Sequence, residues 1–304
     1  MADMDSNAID QLNERFAIDG VAKIVAGQGG LPAVRITSAA ASAEVYLHGG
    51  HVTAWRPAGA EDVIFVSAAS RWEAGKPIRG GIPICFPWFG AKGDDAKAPQ
   101  HGFARTSEWE LVAIAQDGES VVVTLALEST DATRALWPYE FRAEYRVAVG
   151  AELRLELAVT NCGGVPFRFE EALHAYFHVG DVAQMRVAGL DGVAYLDKRD
   201  GGREKLQVGD VAMTAITDNV YLATASALTI EDPVLKRRIA VEKRNSLTTV
   251  VWNPWSDGAK ALADMGDDEW REFVCVEACN TGAAGVELAP GQEHTMSAVI
   301  RIEA

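Results

Sequence analysis

The sequence predicts an all-β protein, a large antiparallel β-sandwich with a few short helices. Hydrophobic and polar residues alternate with a period of two over long stretches, as in strands that bury only one face. Short turns separate these stretches, and long helices do not alternate with them, which is typical of stacked antiparallel sheets. Because the 304 residues contain no linker rich in Pro, Gly or Ser, we expect a single domain over residues 1–304.

Two hairpins are the clearest elements of this pattern. Residues 141–149 alternate, a Gly-Ala turn follows, and the alternation continues over residues 153–159. A second hairpin joins residues 109–115 to residues 121–127 through a turn that contains Asp117-Gly118. We expect further strands near residues 33–37, 43–47, 52–55, 63–66, 228–231, 239–243, 247–252 and 295–302.

Helices are expected at only two places. Apolar residues recur at helical spacing behind the capping residue Ser6, which predicts a short N-terminal helix over about residues 6–16. A brief helix is also expected over residues 259–265. Segments 75–104 and 197–210 are irregular and contain glycines, so we expect them to be loops.

The charge balance excludes several classes of partner. The chain has 43 acidic and 28 basic residues, for a formal net charge of -15. Nucleic acids and anionic membranes require clustered Lys and Arg, so we expect neither as a partner and favour a small-molecule function. The acidic N-terminus does not resemble a signal peptide, and no apolar stretch is long enough to cross a bilayer. We therefore expect a cytoplasmic protein, and a monomer.

The four cysteines indicate neither a metal site nor a disulfide framework. Cys275 and Cys279 are four residues apart and have no matching Cys or His pair nearby, while Cys85 and Cys162 are isolated. A chain of this size with four cysteines is not a disulfide scaffold. We expect reduced, mostly buried thiols and no bound metal.

Two strand-like segments, far apart in the chain, each place one ionisable side chain within an apolar run. In residues 170–178 the alternation puts His174 on the face opposite Leu173. In residues 273–280 it puts Glu277 on the face opposite Val276. A histidine and a carboxylate presented in this way are the minimum equipment of a proton-transfer enzyme.

Each of these two residues has a simpler alternative role. His174 in isolation is as readily a half-buried structural histidine, and His178 lies on the same face of the predicted strand. We favour His174 because it lies mid-strand, away from Gly180. For Glu277 the structural alternative is weaker, because a carboxylate between apolar residues is costly to desolvate unless it is paired or functional.

Two loops carry candidate binding residues. Arg79 precedes Gly80-Gly81, where an unobstructed arginine can bind a phosphate or sugar hydroxyls, although most of this loop is as readily a structural crossover. Gln100, His101 and Arg105 lie within six residues and can supply donors and acceptors to a polyhydroxylated ligand. The alternative for the second loop is a solvent-exposed turn.

Three further residues are weaker candidates. Asp218 suits sugar hydroxyls but is also a common turn residue. Trp252 offers an aromatic face for the C–H face of a sugar, although a tryptophan at a sheet end is more often part of the core. Lys260, in the predicted short helix, is a possible anion contact.

Taken together, these segments resemble the hexose-6-phosphate mutarotases, also called glucose-6-phosphate 1-epimerases, of the galactose-mutarotase-like superfamily. The resemblance spans roughly residues 30 to 300. It rests on six motifs in family order: Arg79-Gly80-Gly81-Ile82-Pro83, Gln100-His101-Gly102-Phe103-Ala104-Arg105, Leu173-His174-Ala175-Tyr176-Phe177, Thr217-Asp218, Trp252-Asn253-Pro254-Trp255 and Val276-Glu277. The fold that it implies, a large antiparallel β-sandwich or supersandwich, agrees with the strand pattern.

The resemblance also implies roles for the candidate residues. His174 would be the general acid and Glu277 the general base that open and close the ring of a hexose 6-phosphate by proton transfer, without a cofactor. Arg79, Gln100, Arg105 and Asp218 match substrate-contacting positions of the family. His101 and Trp252 lie within the same motifs. The whole chain would then be one catalytic domain acting on a sugar phosphate.

Two other functions fit part of the same pattern. An epimerase of unphosphorylated aldoses would use the same acid and base, and two arginines converging on one end of the pocket would argue against it. A non-catalytic carbohydrate-binding or sensor protein would keep the polar cleft but would not need both His174 and Glu277. Their joint presence therefore favours an enzyme.

Overall fold

A computed structural model of the chain describes residues 6–93, 95 and 97–303. The predicted all-β architecture is confirmed, since every pair of neighbouring strands in its sheets is antiparallel. In the described part of the chain the α-helices are α1 (Ser6–Phe16), α2 (Asp131–Leu136) and α3 (Trp255–Lys260). Among these described residues, no helix is long and apolar enough to cross a membrane.

The strands of the described residues follow in chain order. The first half of the chain holds β1 (Ala22–Ala26), β2 (Pro32–Thr37), β3 (Ala41–Tyr46), β4 (His51–Pro57), β5 (Ile84–Cys85), β6 (Glu110–Asp117), β7 (Ser120–Glu128), β8 (Phe141–Val149) and β9 (Glu152–Asn161). The second half holds β10 (Phe167–Phe169), β11 (Glu171–Leu173), β12 (Tyr176–His178), β13 (Arg186–Ala188), β14 (Ala194–Asp197), β15 (Arg203–Leu206), β16 (Val211–Ala212), β17 (Thr217–Tyr221), β18 (Leu228–Asp232), β19 (Arg237–Arg244), β20 (Thr248–Asn253), β21 (Phe273–Asn280), β22 (Val286–Leu288) and β23 (Glu293–Glu303).

Three large sheets enclose the core, and β10 and β22 form a separate two-stranded sheet. One has four strands in the order β1-β2-β3-β4, and a second has nine in the order β16-β13-β18-β19-β23-β9-β8-β7-β6. The third runs β15-β14-β17-β20-β21-β11-β5, and β12 also pairs with β21. A single contiguous cluster of buried apolar side chains draws on all three sheets, as expected for stacked layers that each bury one face.

The long hairpin shows how the alternating pattern produces this architecture. In β8 and β9 the buried residues alternate with more exposed ones, and Phe141 lies opposite Asn161 in the register. The hairpin of β6 and β7 also forms where it is predicted, with Asp117 opposite Ser120. Both hairpins are edge-to-edge neighbours in the nine-stranded sheet.

Several local predictions are wrong. The predicted helix over 259–265 lies instead at Trp255–Lys260, and residues 63–66 form isolated bridges rather than a strand. The loop predicted over 197–210 contains β15, and the loop over 75–104 contains β5. In residues 63–66 and 75–104, contacts with distant parts of the chain replace the local pattern, whereas β15 forms a local hairpin with β14. For example, Ile64 bridges Phe177.

Candidate active site

The strand register brings His174 and Glu277 face to face. Leu173 pairs with Ala278, and Tyr176 pairs with Cys275, so the same antiparallel register places His174 opposite Glu277. Side chains directly opposite each other on antiparallel strands lie on the same face, with Cβ atoms about 4.5–5.5 Å apart. The distance from His174 Nδ1 to Glu277 Oε1 is 3.4 Å.

The continuous strand predicted over residues 170–178 is interrupted at this point. β11 ends at Leu173 and β12 begins at Tyr176. The His174 N–H donates to the Pro83 carbonyl at 3.0 Å, and the Ala175 N–H donates back to the Leu173 carbonyl at 3.0 Å. The tight turn at Ala175 therefore takes His174 out of the ladder while its position in the register is kept.

Glu277 lies on the cavity face of β21, as the alternation predicts. Val274, Val276 and Ala278 belong to the main apolar core, whereas Glu277 lines a cavity. The Cys279 thiol approaches Glu277 Oε2 at 3.9 Å. Among the described residues, neither Glu277 Oε1 nor His174 Nδ1 has a hydrogen-bond partner of good geometry, so both atoms are available to a third group.

Eight of the residues that the sequence nominates line this one cavity. Its volume is about 650 Å³, a size suited to a small-molecule ligand. The eight residues are Arg79, Gln100, His101, Arg105, His174, Asp218, Trp252 and Glu277. Of the residues left open by the sequence, His178 and Lys260 are not among those that line the cavity.

Aromatic rings fix the orientation of the His174 imidazole. Tyr176 stacks on it with a centroid distance of 5.0 Å and an interplanar angle of 11°. His101 and Trp252 contact it edge-on at centroid distances of 5.7 and 6.0 Å. A ring held on three sides has little rotamer freedom, which is what a proton donor at a fixed atom requires.

His101 is held in a constrained backbone conformation, with φ at 64°. Its N–H donates to the Gly90 carbonyl at 2.7 Å, and its Nδ1 accepts from the Gly90 N–H at 3.3 Å. An accepting Nδ1 leaves the proton on Nε2. Burial lowers the pKa of His101 to about 3, so the ring is a neutral donor.

The two arginines of the cavity differ in how their charges are balanced. Arg79 binds Asp264 with two parallel contacts of 3.2 Å, from Nε to Oδ1 and from Nη2 to Oδ2, and its Nη1 donates to Tyr176 Oη at 3.2 Å. Arg105 donates from Nη2 to the Gln100 carbonyl at 2.9 Å, and its Nε is buried without a partner among the described residues. The positive charge of Arg105 is therefore less fully balanced by its neighbours than that of Arg79.

The expectation that Gly80-Gly81 leaves the Arg79 side chain unobstructed is wrong. These glycines instead accommodate the protein's own backbone and a buried histidine. A Cβ on Gly80 would lie 2.5 Å from the Phe65 carbonyl oxygen, and one on Gly81 would lie 2.3 Å from His51 Nε2. His51 Nε2 contacts the Gly80 carbonyl at 2.8 Å and so anchors the loop that carries Arg79.

The remaining candidates reach the cavity from neighbouring strands. Asp218 of β17 lies opposite Trp252 of β20, and Val250 of β20 lies opposite Glu277. These pairs share one face of the sheet. Asp218 therefore occupies a strand, not the turn that was its structural alternative, and Lys198, from a 3₁₀ turn at Lys198–Asp200, lines the same end of the cavity.

The electrostatics of the acid–base pair follow from burial and neighbouring charges. Burial raises the pKa of Glu277 well above its usual range, and the charge of Asp218 raises it further. Burial lowers the pKa of His174 well below its usual range, and His101, Arg105 and Arg79 lower it further. Both shifts favour the neutral forms of Glu277 and His174 in the ligand-free cavity.

Sequence reasoning did not find three cavity residues or partners. Tyr176 and Asp264 have no role predicted from the sequence, and Lys198 lies in a segment predicted to be a loop. Asp264 binds Arg79 across a sequence separation of 185 residues, for which no local pattern exists. Among the described residues, no group of three or more His, Cys, Asp or Glu side chains is arranged to hold a metal ion.

A buried histidine and glutamate in contact, in a polar cavity on a large antiparallel β-sandwich, are arranged as an enzyme that works by proton transfer requires. The sequence profile of the aldose 1-epimerase family matches residues 32–301, and the chain belongs to this family. It is therefore an isomerase with a small-molecule sugar substrate.

The chain is similar to several known proteins over most of its length. Two of them bear the name "putative glucose-6-phosphate 1-epimerase". The one from Cenchrus ciliaris is 36% identical, over 83% of this chain and 78% of that protein. The one from Escherichia coli K12 is 38% identical, over 76% of this chain and 77% of that protein. The crystal structure of a "putative mutarotase (YeaD)" from Salmonella typhimurium has a TM-score of 0.88 and 33% identity, covering 94% of this chain and 95% of that one. This likeness confirms the expected mutarotase-type sandwich.

Proposed function

We propose that this protein interconverts the α and β anomers of a hexose 6-phosphate, with glucose 6-phosphate as the first candidate. The observation that carries the proposal is the presence of Arg79 and Arg105 in the same cavity as the His174–Glu277 pair. The names of the relatives support the same substrate. A neutral cavity would instead favour an unphosphorylated sugar.

The order of the groups in the cavity fits the covalent structure of the substrate. In a hexose 6-phosphate the ring oxygen O5 is bonded both to C1, which bears the anomeric hydroxyl, and to C5, which carries the phosphorylated C6. An acid at O5 must therefore lie between a base at O1 and the groups that bind phosphate. His174 contacts Glu277 on one side, and on the other it stacks on Tyr176, which binds Arg79.

Ring opening then needs two proton transfers and one bond cleavage. Glu277, as the carboxylate, takes the proton of the O1 hydroxyl, and O1 forms a double bond to C1. The C1–O5 bond breaks, its electron pair goes to O5, and O5 receives the proton of His174. The product is the open-chain aldehyde, with a neutral imidazole and a protonated carboxyl left behind.

Ring closure reverses these transfers on the other face of C1. After rotation about the C1–C2 bond, His174 takes the O5 proton while O5 attacks C1. The carbonyl oxygen O1 receives the proton held by Glu277, which restores both side chains. Because every step is a proton transfer between substrate and side chains, the proposal includes no metal or cofactor.

The other cavity residues supply binding in this proposal. Arg105 has N–H groups without partners among the described residues that suit a phosphate, and Arg79 offers the edge of its guanidinium that Asp264 leaves unused. Asp218 and Gln100 suit sugar hydroxyls, the Nε2–H of His101 is a neutral donor, and the indole of Trp252 suits a C–H face. We take the chain to act as a single catalytic domain, monomeric and cytoplasmic, as the sequence predicts.

Magnetisation-exchange NMR of the two anomers tests the proposal. Glucose 6-phosphate, galactose 6-phosphate, mannose 6-phosphate and the free sugars are compared at equal concentration, with exchange in the absence of enzyme subtracted. We expect the enzyme to accelerate exchange of at least one hexose 6-phosphate more than that of its free sugar. Acceleration of the unphosphorylated sugars alone would instead establish an epimerase of free aldoses. The pairing of Arg79 with Asp264 favours this alternative, because it reduces the positive charge available to a phosphate.

A further inference from the structure

The cations that suit the phosphate also face the catalytic acid. Arg105 and Arg79 line the same cavity as His174, and the charges of both disfavour its protonated form. Arg79 is linked to His174 through Tyr176. Arg79 Nη1 donates to Tyr176 Oη, and the Tyr176 ring stacks on the His174 imidazole. The cavity therefore places positive charge beside the group that must itself become positive.

The groups that face His174 come from every neighbouring element. Glu277 faces it from β21, Tyr176 from β12, His101 and Arg105 from the segment between β5 and β6, and Arg79 from the segment between β4 and β5. Asp264 balances the charge of Arg79 through its two contacts, which leaves Arg105 as the larger source of repulsion.

Ring opening requires the opposite charge state from the one that the ligand-free cavity favours. Glu277 must be ionised and His174 must hold a proton, yet burial disfavours both charged forms, and Arg105 and Arg79 further disfavour the protonated form of His174. The Glu277 carboxylate supplies one negative charge beside His174, and the two arginines oppose its effect, so an anion that binds the arginines would favour protonated His174. The hydroxyl groups of the sugar carry no negative charge, and the phosphate carries up to two negative charges.

We infer that the phosphate of the substrate contributes to acid catalysis. By neutralising Arg105 and Arg79, it allows His174 to hold the proton that O5 receives. This inference rests on the proposed function and adds to it. The phosphate is close enough to do so because C6 is attached to C5, which is bonded to O5. A phosphate that merely anchors the substrate would lower KM, whereas this one also raises kcat.

The first experiment separates the phosphate from the sugar. Exchange between the anomers of glucose is measured with the enzyme, with and without inorganic phosphite, a dianion that can occupy the place of the substrate's phosphate. The rate with phosphite and no enzyme, and the rate with the His174→Asn enzyme and phosphite, are subtracted as backgrounds. We expect saturable activation of at least about tenfold, the change in protonated fraction for one unit of pKa.

A second experiment observes His174 directly and does not depend on turnover. The enzyme labelled with ¹⁵N in its histidines is titrated by NMR with 1,5-anhydroglucitol 6-phosphate bound and with 1,5-anhydroglucitol bound. Both ligands have the ring oxygen but lack the anomeric hydroxyl, so neither reacts. The His174 signals are assigned by their loss in His174→Asn. We expect the phosphorylated ligand to raise the apparent pKa of His174 by at least about one unit relative to the unphosphorylated one.

The outcomes distinguish this inference from the proposed function. Activation by phosphite and an upward shift of the His174 titration support the inference. If the enzyme accelerates exchange of glucose 6-phosphate but phosphite fails to activate glucose exchange and the His174 titration is the same with both ligands, the phosphate is an anchor only and the inference is wrong. If no hexose 6-phosphate exchanges faster with the enzyme, the proposed function itself fails.

Discussion

Replacing Arg105 with methionine should impair catalysis without strongly destabilising the protein. Arg105 makes one hydrogen bond, from Nη2 to the Gln100 carbonyl, and its buried Nε has no partner among the described residues. Loss of the hydrogen bond from a charged group costs about 1.5–3 kcal/mol, and removal of a buried unsatisfied donor recovers about 1–3 kcal/mol. The two effects largely offset each other, so the free energy of unfolding should change by no more than about 2 kcal/mol in either direction.

The effect on catalysis should be much larger. If Arg105 makes two charge-assisted hydrogen bonds to the substrate's phosphate, their loss costs about 3–6 kcal/mol. This corresponds to a fall of about 10²–10⁴-fold in kcat/KM for glucose 6-phosphate, since about 1.4 kcal/mol is a factor of ten. The loss should be concentrated on the phosphorylated substrate, because a free sugar lacks the group that Arg105 binds.

Thermal unfolding and anomer-exchange NMR together measure both effects, and Arg237→Met is the matched control. Arg237 is buried outside the cavity and, like Arg105, has a buried Nε without a partner among the described residues. It differs in donating to three backbone carbonyls, those of Glu61, Asp62 and His178, at 3.5, 3.0 and 2.6 Å, so its loss is offset only in part. Arg237→Met should therefore lower Tm by several degrees, at about 2 °C or more per kcal/mol, while Arg105→Met should change Tm by less. An equal fall in Tm for both variants, or an unchanged kcat/KM in Arg105→Met, would refute the reasoning.

Three further substitutions test the supporting structure. Gly81→Ala should unfold or strongly destabilise the protein, because its Cβ would lie 2.3 Å from His51 Nε2 at a φ of 69°; a cooperative melt at the wild-type temperature would contradict this. Asp264→Asn should lower the free energy of unfolding in urea by about 1–3 kcal/mol, because Arg79 keeps at most one of its two contacts, and no change would show that the pair is not stabilising. Burial lowers the pKa of Lys243 from its usual value of 10.5 to about 8, so the folded state releases a proton that the unfolded state retains. The stability of the wild type relative to Lys243→Met should therefore rise between about pH 8 and pH 10, and a flat or falling difference would be the wrong sign.

The alternating pattern predicts most of the fold because it reports burial directly. β8 and β9 form where polar and apolar residues alternate around a Gly-Ala turn, and no distant contact is needed to position them. The helix α3 could not be placed in the same way. It begins at Trp255, which has a φ of 54° and donates its N–H to Asn253 Oδ1 at 2.8 Å. The Asn253 side chain is itself held by backbone carbonyls of Trp270 and Phe273, which are distant in sequence.

The same distinction between local pattern and tertiary contact applies to the candidate site. The sequence shows that Glu277 faces away from the core, because that depends only on its own strand. It does not show that His174 lies opposite Glu277, because that depends on a register between segments about a hundred residues apart. The same holds for Asp264, whose contact with Arg79 is set by tertiary packing. The residues were therefore predictable by type and motif, and their electrostatic partners were not.

The most direct test of the central claim is the rate constant for anomer exchange of glucose 6-phosphate in the wild type, His174→Asn and Glu277→Gln. Glu171→Gln is the control, because Glu171 is an equally buried glutamate on the neighbouring strand that binds His294 and Asn280 and does not line the cavity. We predict that His174→Asn and Glu277→Gln each reduce the enzymatic rate by about 10²–10⁴-fold with the fold intact, while Glu171→Gln retains it. Near-wild-type exchange in either catalytic variant would contradict the account.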